Sequence, residues 1–269
     1  MTIELTLRGV GLLGPGLPDW DLGAPRLRTP ASWVRSATVV PAPARLPANE
    51  RRRAGTVIKA ALAAADQAVA MAGADPSQLA TIFTSSTGDP ANCHALCEAL
   101  AAPERLLSPT RFTNSVHNAP AGYWHIATHS MRTSTSLAVH DASFGAGLLE
   151  AAVQCHVSGE EVLLVACDVP YPEPLHTLRP LSDTFAVAFV LAPRAGSRRG
   201  AWTLTVQMQA PAPSARCDDA SLEALRSEIP AARALPLLCA MAATGATPVP
   251  LCLDAAEGST LLVVLEATK

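Results

Sequence analysis

The chain has 269 residues, of which 49% are hydrophobic, 16% charged and 4% aromatic, and its formal net charge is −3. That length suits one large domain or two fused halves, with a core built from Ala, Leu and Val. The slight acidity argues against nucleic-acid binding, which uses a basic face.

The opening residues 3–11 alternate like a β-strand, end in Gly11 and do not read as a signal peptide. Residues 12–50 hold seven prolines with Trp20 and Trp33, and are expected to form an irregular surface excursion. "NERRRAGTVIKAALAAADQAVAMAG" predicts one long helix, with Asn49 as N-cap, an apolar stripe from Val57 to Val69, and Gly73 as its stop. "LATIFTSSTGD" is a strand running into a polar turn, and a helix over about 90–101 follows. "LSPTRFTNSVHNAPAGYWHIATHS" is a loop and then a helix from about Asn118. "STSLAVH" reads as a strand, "FGAGLLEAAVQCHVSG" as a helix stopped by Gly159, and "EEVLLVACD" and "DTFAVAFVLAP" as buried strands. This alternation predicts a layered α/β unit over 1–195 with a mainly parallel sheet. The tail, 196–269, repeats the plan in shorter form: a period-two strand "AWTLTVQMQA", helices over about 219–243, and two strands around the turn Ala255–Gly258. The two parts are expected to fuse into one globular unit.

Seven cysteines at 93, 97, 155, 167, 217, 239 and 252 show no framework spacing. Cys155, Cys167, Cys239 and Cys252 lie in apolar runs, as buried thiols of a reducing compartment would. Cys93-His94-x-x-Cys97 lacks a second ligand pair, so helix packing is favoured over a metal site, and no cofactor is expected. No run reaches the ~18 apolar residues of a membrane span, which leads to the expectation of a cytoplasmic protein.

The stretch "VHDASFGAGLLEAAVQ" places a small-residue turn between a strand ending and an apolar helix, with Ser143 at the helix N-terminus. "FTNSVHNAPAGYWHIA" and "SLAVHDASFGAGLLEAAVQCHVSGEEVLLVACD" resemble the N-terminal half of the β-ketoacyl synthases, which have the thiolase fold. In that family an Ala-Cys-x-Ser turn presents a cysteine that accepts an acyl chain from a carrier protein; here Ala142 falls on the Ala and Ser143 on the Cys. "ERRRAG", "FTNSVHNAPAGYW" and "DASFGAGLLEAA" are most similar to short ketosynthase-like subunits of aryl-polyene pathways, described as chain-length factors. The resemblance implies a thiolase-like αβαβα fold with a nearly complete first half and a truncated second half. It also implies a heterodimer with a full-length β-ketoacyl synthase, and contact with an acyl carrier protein through that complex.

The departures carry as much weight. Ketosynthases have two further histidines in the second half, one in a His-Gly-Thr motif, and a terminal glycine-rich loop. Beyond Ser143 this chain has two histidines, His156 and His176, neither followed by Gly-Thr, and it ends in "EGSTLLVVLE". A helix N-terminus can draw a thiol toward neutrality, but a serine hydroxyl needs a hydrogen-bonded base. The candidates are His117 and His140, the latter expected to point elsewhere. A serine hydrolase elbow would have Gly where Asp141 stands. Ser143 is therefore expected to be a structural residue; a serine acyltransferase or thioesterase using His117 is the alternative, and a homodimeric acyl-binding protein a third reading.

Phe112, His117, Ser143 and Phe144 are the expected tunnel residues, although Phe144 could equally just pack. Asn114, Asn118, Tyr123, Trp124, Leu137 and Val139 are the expected interface residues. For Tyr123 and Trp124 a core role is equally open, and Asn114, Ser115 and Asn118 could simply satisfy turn backbone groups. Arg51–Arg53, beside Glu50, form the main basic cluster. They read as a solvated helical turn or as the docking point of an acidic carrier protein.

Overall fold

A computed structural model describes residues 1–194, 202–243, 245, 247–256 and 258–268. The chain runs β1 (Thr2–Leu13), α1 (Trp20–Arg28), α2 (Ala48–Arg53), α3 (Thr56–Ala72), β2 (Ala80–Thr84), α4 (Pro90–Ala101), α5 (Pro109–Thr113), α6 (Ala119–Thr128), β3 (Ser134–Leu137), α7 (Ser143–Ser158), β4 (Val162–Asp168), α8 (Leu175–Leu178) and β5 (Phe185–Pro193). It continues with β6 (Trp202–Gln209), α9 (Ala220–Glu228), α10 (Leu235–Ala243), β7 (Val249–Ala256) and β8 (Ser259–Ala267). The expected boundary at 195/196 and part of the expected turn Ala255–Gly258 lie outside the described residues.

All eight strands belong to one sheet, in the order β3-β2-β4-β5-β1-β6-β8-β7. It is mixed, which corrects the expectation of a mainly parallel sheet. Only β2 runs parallel to its neighbours β3 and β4; the other pairings are antiparallel. The cause lies in the connections. Parallel neighbours need a long crossover, which α4–α6 supply between β2 and β3, and α7 between β3 and β4. After β4 only the one-turn α8 intervenes, and β5 returns antiparallel.

Alternation along the strands builds a core on each face. Leu163, Val165 and Cys167 of β4, with Ala186, Ala188 and Val190 of β5, meet the alanines of α3. Val162, Leu164 and Ala166, with Phe185, Val187 and Phe189, meet α7. The Ala-rich face lets α3 lie directly on β1: a Cβ at Gly11 would sit 1.8 Å from the Ala64 carbonyl oxygen. On the other face α7 touches β4 and also β7, strands far apart in the sheet order. The sheet therefore curls around α7, giving helix, sheet, helix and sheet layers. The helices packed on β7 and β8, α7 and α10, share the inner core; the outer face of that end leaves Leu262 and Val264 half-buried.

Two expectations about the N-terminal third are corrected. The proline-rich excursion contains α1, capped by the Asp19 carboxylate and tolerant of Pro25. Trp20 packs edge-on against Trp202, with ring centroids 6.1 Å apart. The predicted long helix breaks at Ala54–Gly55 into α2 and α3, and Asn49 lies inside α2 instead of capping it. Gly73 and Gly159 end α3 and α7 in the left-handed conformation, as expected.

The second close approach tests this layering. A Cβ at Gly145 of α7 would stand 2.0 Å from the Asp254 backbone oxygen of β7. Gly145→Ala should cost about 2–3 kcal/mol or more, because neither backbone can yield. Gly122→Ala, in open space on α6, should gain roughly 0.5–1 kcal/mol by helix propensity. Denaturant titration of both variants checks this: equal midpoints would rule out the tight seating of α7 on β7.

Candidate functional site

The corner before α7 is built by a short turn. β3 ends at Leu137, earlier than the expected run to His140, and His140–Ala142 form a single 3-10 turn before Ser143 opens the helix. His140 adopts φ 47°, a left-handed backbone that is unfavourable for a residue with a Cβ. The Ser143 side chain closes this turn on itself. Its Oγ accepts from the Val139 N–H at 3.0 Å and donates to the His140 carbonyl at 2.7 Å. Ser143 is 2% exposed. The single hydroxyl hydrogen is committed to a carbonyl oxygen that cannot act as a base.

Neither candidate imidazole reaches that oxygen. His140 points outward, with Nδ1 3.4 Å from its neighbour Asp141. His117 lies at the surface, with Nε2 3.5 Å from the Ser85 carbonyl. It borders a narrow, mainly apolar slot with Val57, Ala61, Phe83, Pro120 and Cys167. Val57, Ala61, Phe83 and Cys167 belong to the α3-side core, whereas Ser143 heads α7 on the opposite face. The structure thus joins Ser143 to Phe144 and separates both from Phe112 and His117.

The remaining expected residues divide between core and surface. Phe144 is fully buried and packs edge-on against Phe189 at 6.1 Å. Trp124 is fully buried in the α3-side core. Tyr123 is buried and donates to Asn114 Oδ1 at 3.1 Å, while Asn114 Nδ2 donates to the Arg53 carbonyl at 2.9 Å. These three side chains are spent within the chain and present no free surface. Asn118 precedes α6 with no side-chain capping bond and is exposed. Leu137 and Val139 are half-buried at the sheet edge, and Phe112 is 66% exposed. Cys155 and Cys167 are buried, and burial pushes Cys155 up to about 12. Cys239 and Cys252 are only half-buried, and Cys93 and Cys97 are exposed on α4.

Around the corner stands a polar network that the pattern of the sequence did not announce. Asp168, at the end of β4, is 1% exposed. Its Oδ1 accepts from Ser85 Oγ (3.1 Å), the Ser86 and Thr87 N–H groups (2.7 and 3.0 Å) and Thr87 Oγ1 (3.3 Å). Its Oδ2 accepts from the Ala231 N–H at 2.8 Å. Burial pushes this carboxyl above the usual range, and the hydrogen bonds pull it back. Above it, Arg179 joins Asp141 and Ser86 Oγ, each at 2.7 Å. Arg233 lies 3.7 Å from Asp141 and 3.5 Å from Asp254, which bonds Ser214. The one available signal was an acid ending the otherwise apolar run "VLLVACD".

The family model described as β-ketoacyl synthase, N-terminal domain, matches residues 26–243. The chain belongs to the β-ketoacyl synthase family. Three solved structures show the same fold for this ketosynthase-family chain. One is a chain of the ketosynthase ApeO in complex with its chain length factor ApeC from Xenorhabdus doucetiae, with TM-score 0.73, 19% identity, and 97% of this chain and 99% of that one covered. A chain of the ishigamide ketosynthase/chain length factor gives TM-score 0.72 at 13% identity, covering 99% and 100%. A chain of the AntDE:AntF complex, a type II polyketide ketosynthase with its acyl-carrier protein, gives 0.77 at 12%, covering 99% and 100%. Among curated proteins, none matches the sequence. Among the described residues no helix is long and apolar enough to cross a membrane.

Asp168→Asn keeps the side chain's shape but sets an amide N–H₂ against backbone N–H donors. It should lower the unfolding free energy by about 2–4 kcal/mol. Urea titration decides: a wild-type midpoint would mean that the five contacts contribute nothing.

Proposed function

We propose that this chain is a chain-length-factor subunit. It pairs with a full-length β-ketoacyl synthase in the cytoplasm, and shapes an aryl-polyene acyl chain without doing chemistry itself. The observation that carries this reading is the closed hydrogen-bond circuit of Ser143, whose proton goes to a carbonyl and whose hydroxyl no imidazole bonds. A serine acyltransferase needs the opposite arrangement. Solved relatives described as ketosynthase/chain length factor complexes support the subunit role.

The partner surface is argued from the sheet. β3 is an edge strand. The Thr81 N–H bonds the Thr133 carbonyl, and the Ser85 N–H bonds the Leu137 carbonyl. Residues of that parity face β2, so the backbone groups of Ser134 and Ser136 point outward, free to extend the sheet. Just before this edge in sequence stands the exposed side chain of Met131. Phe112 and His117 then border the tunnel floor.

Carrier docking falls on a polar cleft of about 390 Å³ lined by Arg52, Arg53 and Arg111 with Asp89 at its side. Arg51 is turned away and donates to the Leu46 carbonyl. Arg53 also pairs with Glu50 and Arg52 bonds Asn49, and the basic lining that remains suits an acidic carrier surface.

Co-expression with a ketosynthase of such a pathway, followed by size-exclusion and native mass spectrometry, tests the pairing. A 1:1 complex is expected, and Ser136→Pro should abolish it while the isolated chain stays folded, since only an outward N–H is lost. A self-paired homodimer that ignores the ketosynthase overturns the reading. In the active complex, Ser143→Ala should leave product yield and length unchanged; a folded variant that makes no product would mean that Ser143 reacts.

The carrier site has its own measurement, anisotropy of a labelled carrier protein with the complex. The double variant Arg52→Glu, Arg111→Glu should weaken binding about tenfold or more, and added salt should weaken wild-type binding in the same sense. Affinity insensitive to both would move docking elsewhere.

A further inference from the structure

β3 has four residues and pairs on one side only, with β2. A short strand bonded along one side opens more easily than the core strands do. Two side-chain bonds anchor its first half: Thr81 Oγ1 donates to Ser134 Oγ at 2.8 Å, and Gln154 Nε2 of α7 donates to Thr135 Oγ1 at 3.1 Å. Its second half runs straight into the corner before α7.

One side chain closes that second half from outside. Arg179 stands just after α8, in the loop between β4 and β5. Its Nη2 donates both to Ser86 Oγ and to Asp141 Oδ1, each at 2.7 Å. Ser86 follows β2, and its neighbour Ser85 donates its N–H to the Leu137 carbonyl at 3.2 Å. Asp141 lies in the turn that follows β3. Arg179 therefore completes a ring through Ser86, Ser85, Leu137 and Asp141 that spans the end of β3. Two other charged or titratable groups face Asp141. Arg233 stands 3.7 Å away and His140 Nδ1 3.4 Å away, and neither reaches across to the loop after β2.

We propose that Arg179 is a positioning residue for partner pairing, holding β3 in the extended form that a partner strand can join. The proposal rests on the reading of β3 as the edge that meets the ketosynthase. The bond to Asp141 joins two charged groups and is stronger than a neutral one. Without it the turn after β3 is held by the Ser143 hydroxyl alone, and β3 is free to leave β2. Only the ordered fraction of an edge can bind. A strand that is open about nine-tenths of the time binds about tenfold more weakly.

Hydrogen–deuterium exchange on the isolated chain tests the clamp without the partner. The amides of Thr135 and Leu137 point to β2, and that of Val139 to Ser143. They should be protected in the wild type and exchange almost as an unstructured segment does in Arg179→Ala. β4 and α3 should keep wild-type protection, and the urea midpoint should barely move, because a half-exposed ion pair adds little to global stability. Arg179→Lys keeps a cation at this place and should restore most of the protection. Asp141→Ala should reproduce the loss, which keeps the test decisive if Arg179→Ala does not fold. Titration with the ketosynthase forms the second arm: Arg179→Ala should bind about tenfold more weakly, and Arg179→Lys should recover. Wild-type protection of β3 in a folded Arg179→Ala, or protection lost evenly over the whole sheet, overturns the proposal. Loss confined to β3 with unchanged ketosynthase affinity overturns the pairing role. A wild-type chain that binds no ketosynthase removes the subunit reading and the pairing role with it, while the exchange result stands for the clamp alone.

Discussion

One buried carboxylate holds the corner together. Asp168 stands at the C-terminal end of β4, where the sheet would otherwise leave the loop after β2 unsupported. Its two oxygens bind that loop on one side and the Ala231 N–H of the second part on the other. An isolated ionised group in this position would cost several kcal/mol or more, and only a full set of donors offsets it. The donors can converge only if the second part is seated against the first. The network above it follows from that seating: Arg179 and Arg233 meet Asp141 because their loops are already fixed at Ser86 and Ala231.

The same frame carries the start of α7, where a hydroxyl serves the fold. A hydroxyl is smaller than a thiol and a better hydrogen-bond partner. At the head of α7 it satisfies an N–H and a carbonyl of the turn that precedes it, the turn in which His140 takes a left-handed backbone. The serine thereby stabilises a strained turn, and the same two bonds remove the proton that chemistry would require. Structural use and reactivity compete for one oxygen, and here the geometry gives it to structure.

Much of this was readable in the residues. The apolar stripe of α3, the elbow at Ser143 and the buried strands β4 and β5 follow from periodicity, because burial on one or two faces leaves its imprint on every turn. What was not readable has specific causes. α1 was hidden by Pro25 and a proline-rich setting, since its packing against α10 overrides weak propensity. The break at Gly55 interrupts a stripe that is continuous in spacing, so a pattern of period 3.6 could not mark it. Tyr123 and Trp124 are ambiguous between core and interface in any linear reading, and only the bond from Tyr123 to Asn114 shows that they turn inward. The Asp168 carboxylate joins residues from three separate segments, which no local signal connects.

The two ends of the sheet are finished differently. An open strand edge invites wrong pairing, and proteins blunt the edges they do not use. β7 is blunted: Pro250 lies in it, and the Cys252 carbonyl is capped by the Ala215 N–H. β3 is not, for Ser134–Val139 contains neither proline nor charge. A chain that protects one edge with a proline and a covering loop, and leaves the other bare next to exposed Met131, is treating the two edges as different surfaces. The same short strand leads into the corner that Ser143 closes. On the proposed pairing, a partner strand laid along β3 would lie within a few residues of Ser143. On that proposal, what this chain offers a partner is delivered through that strand, as fixed backbone geometry.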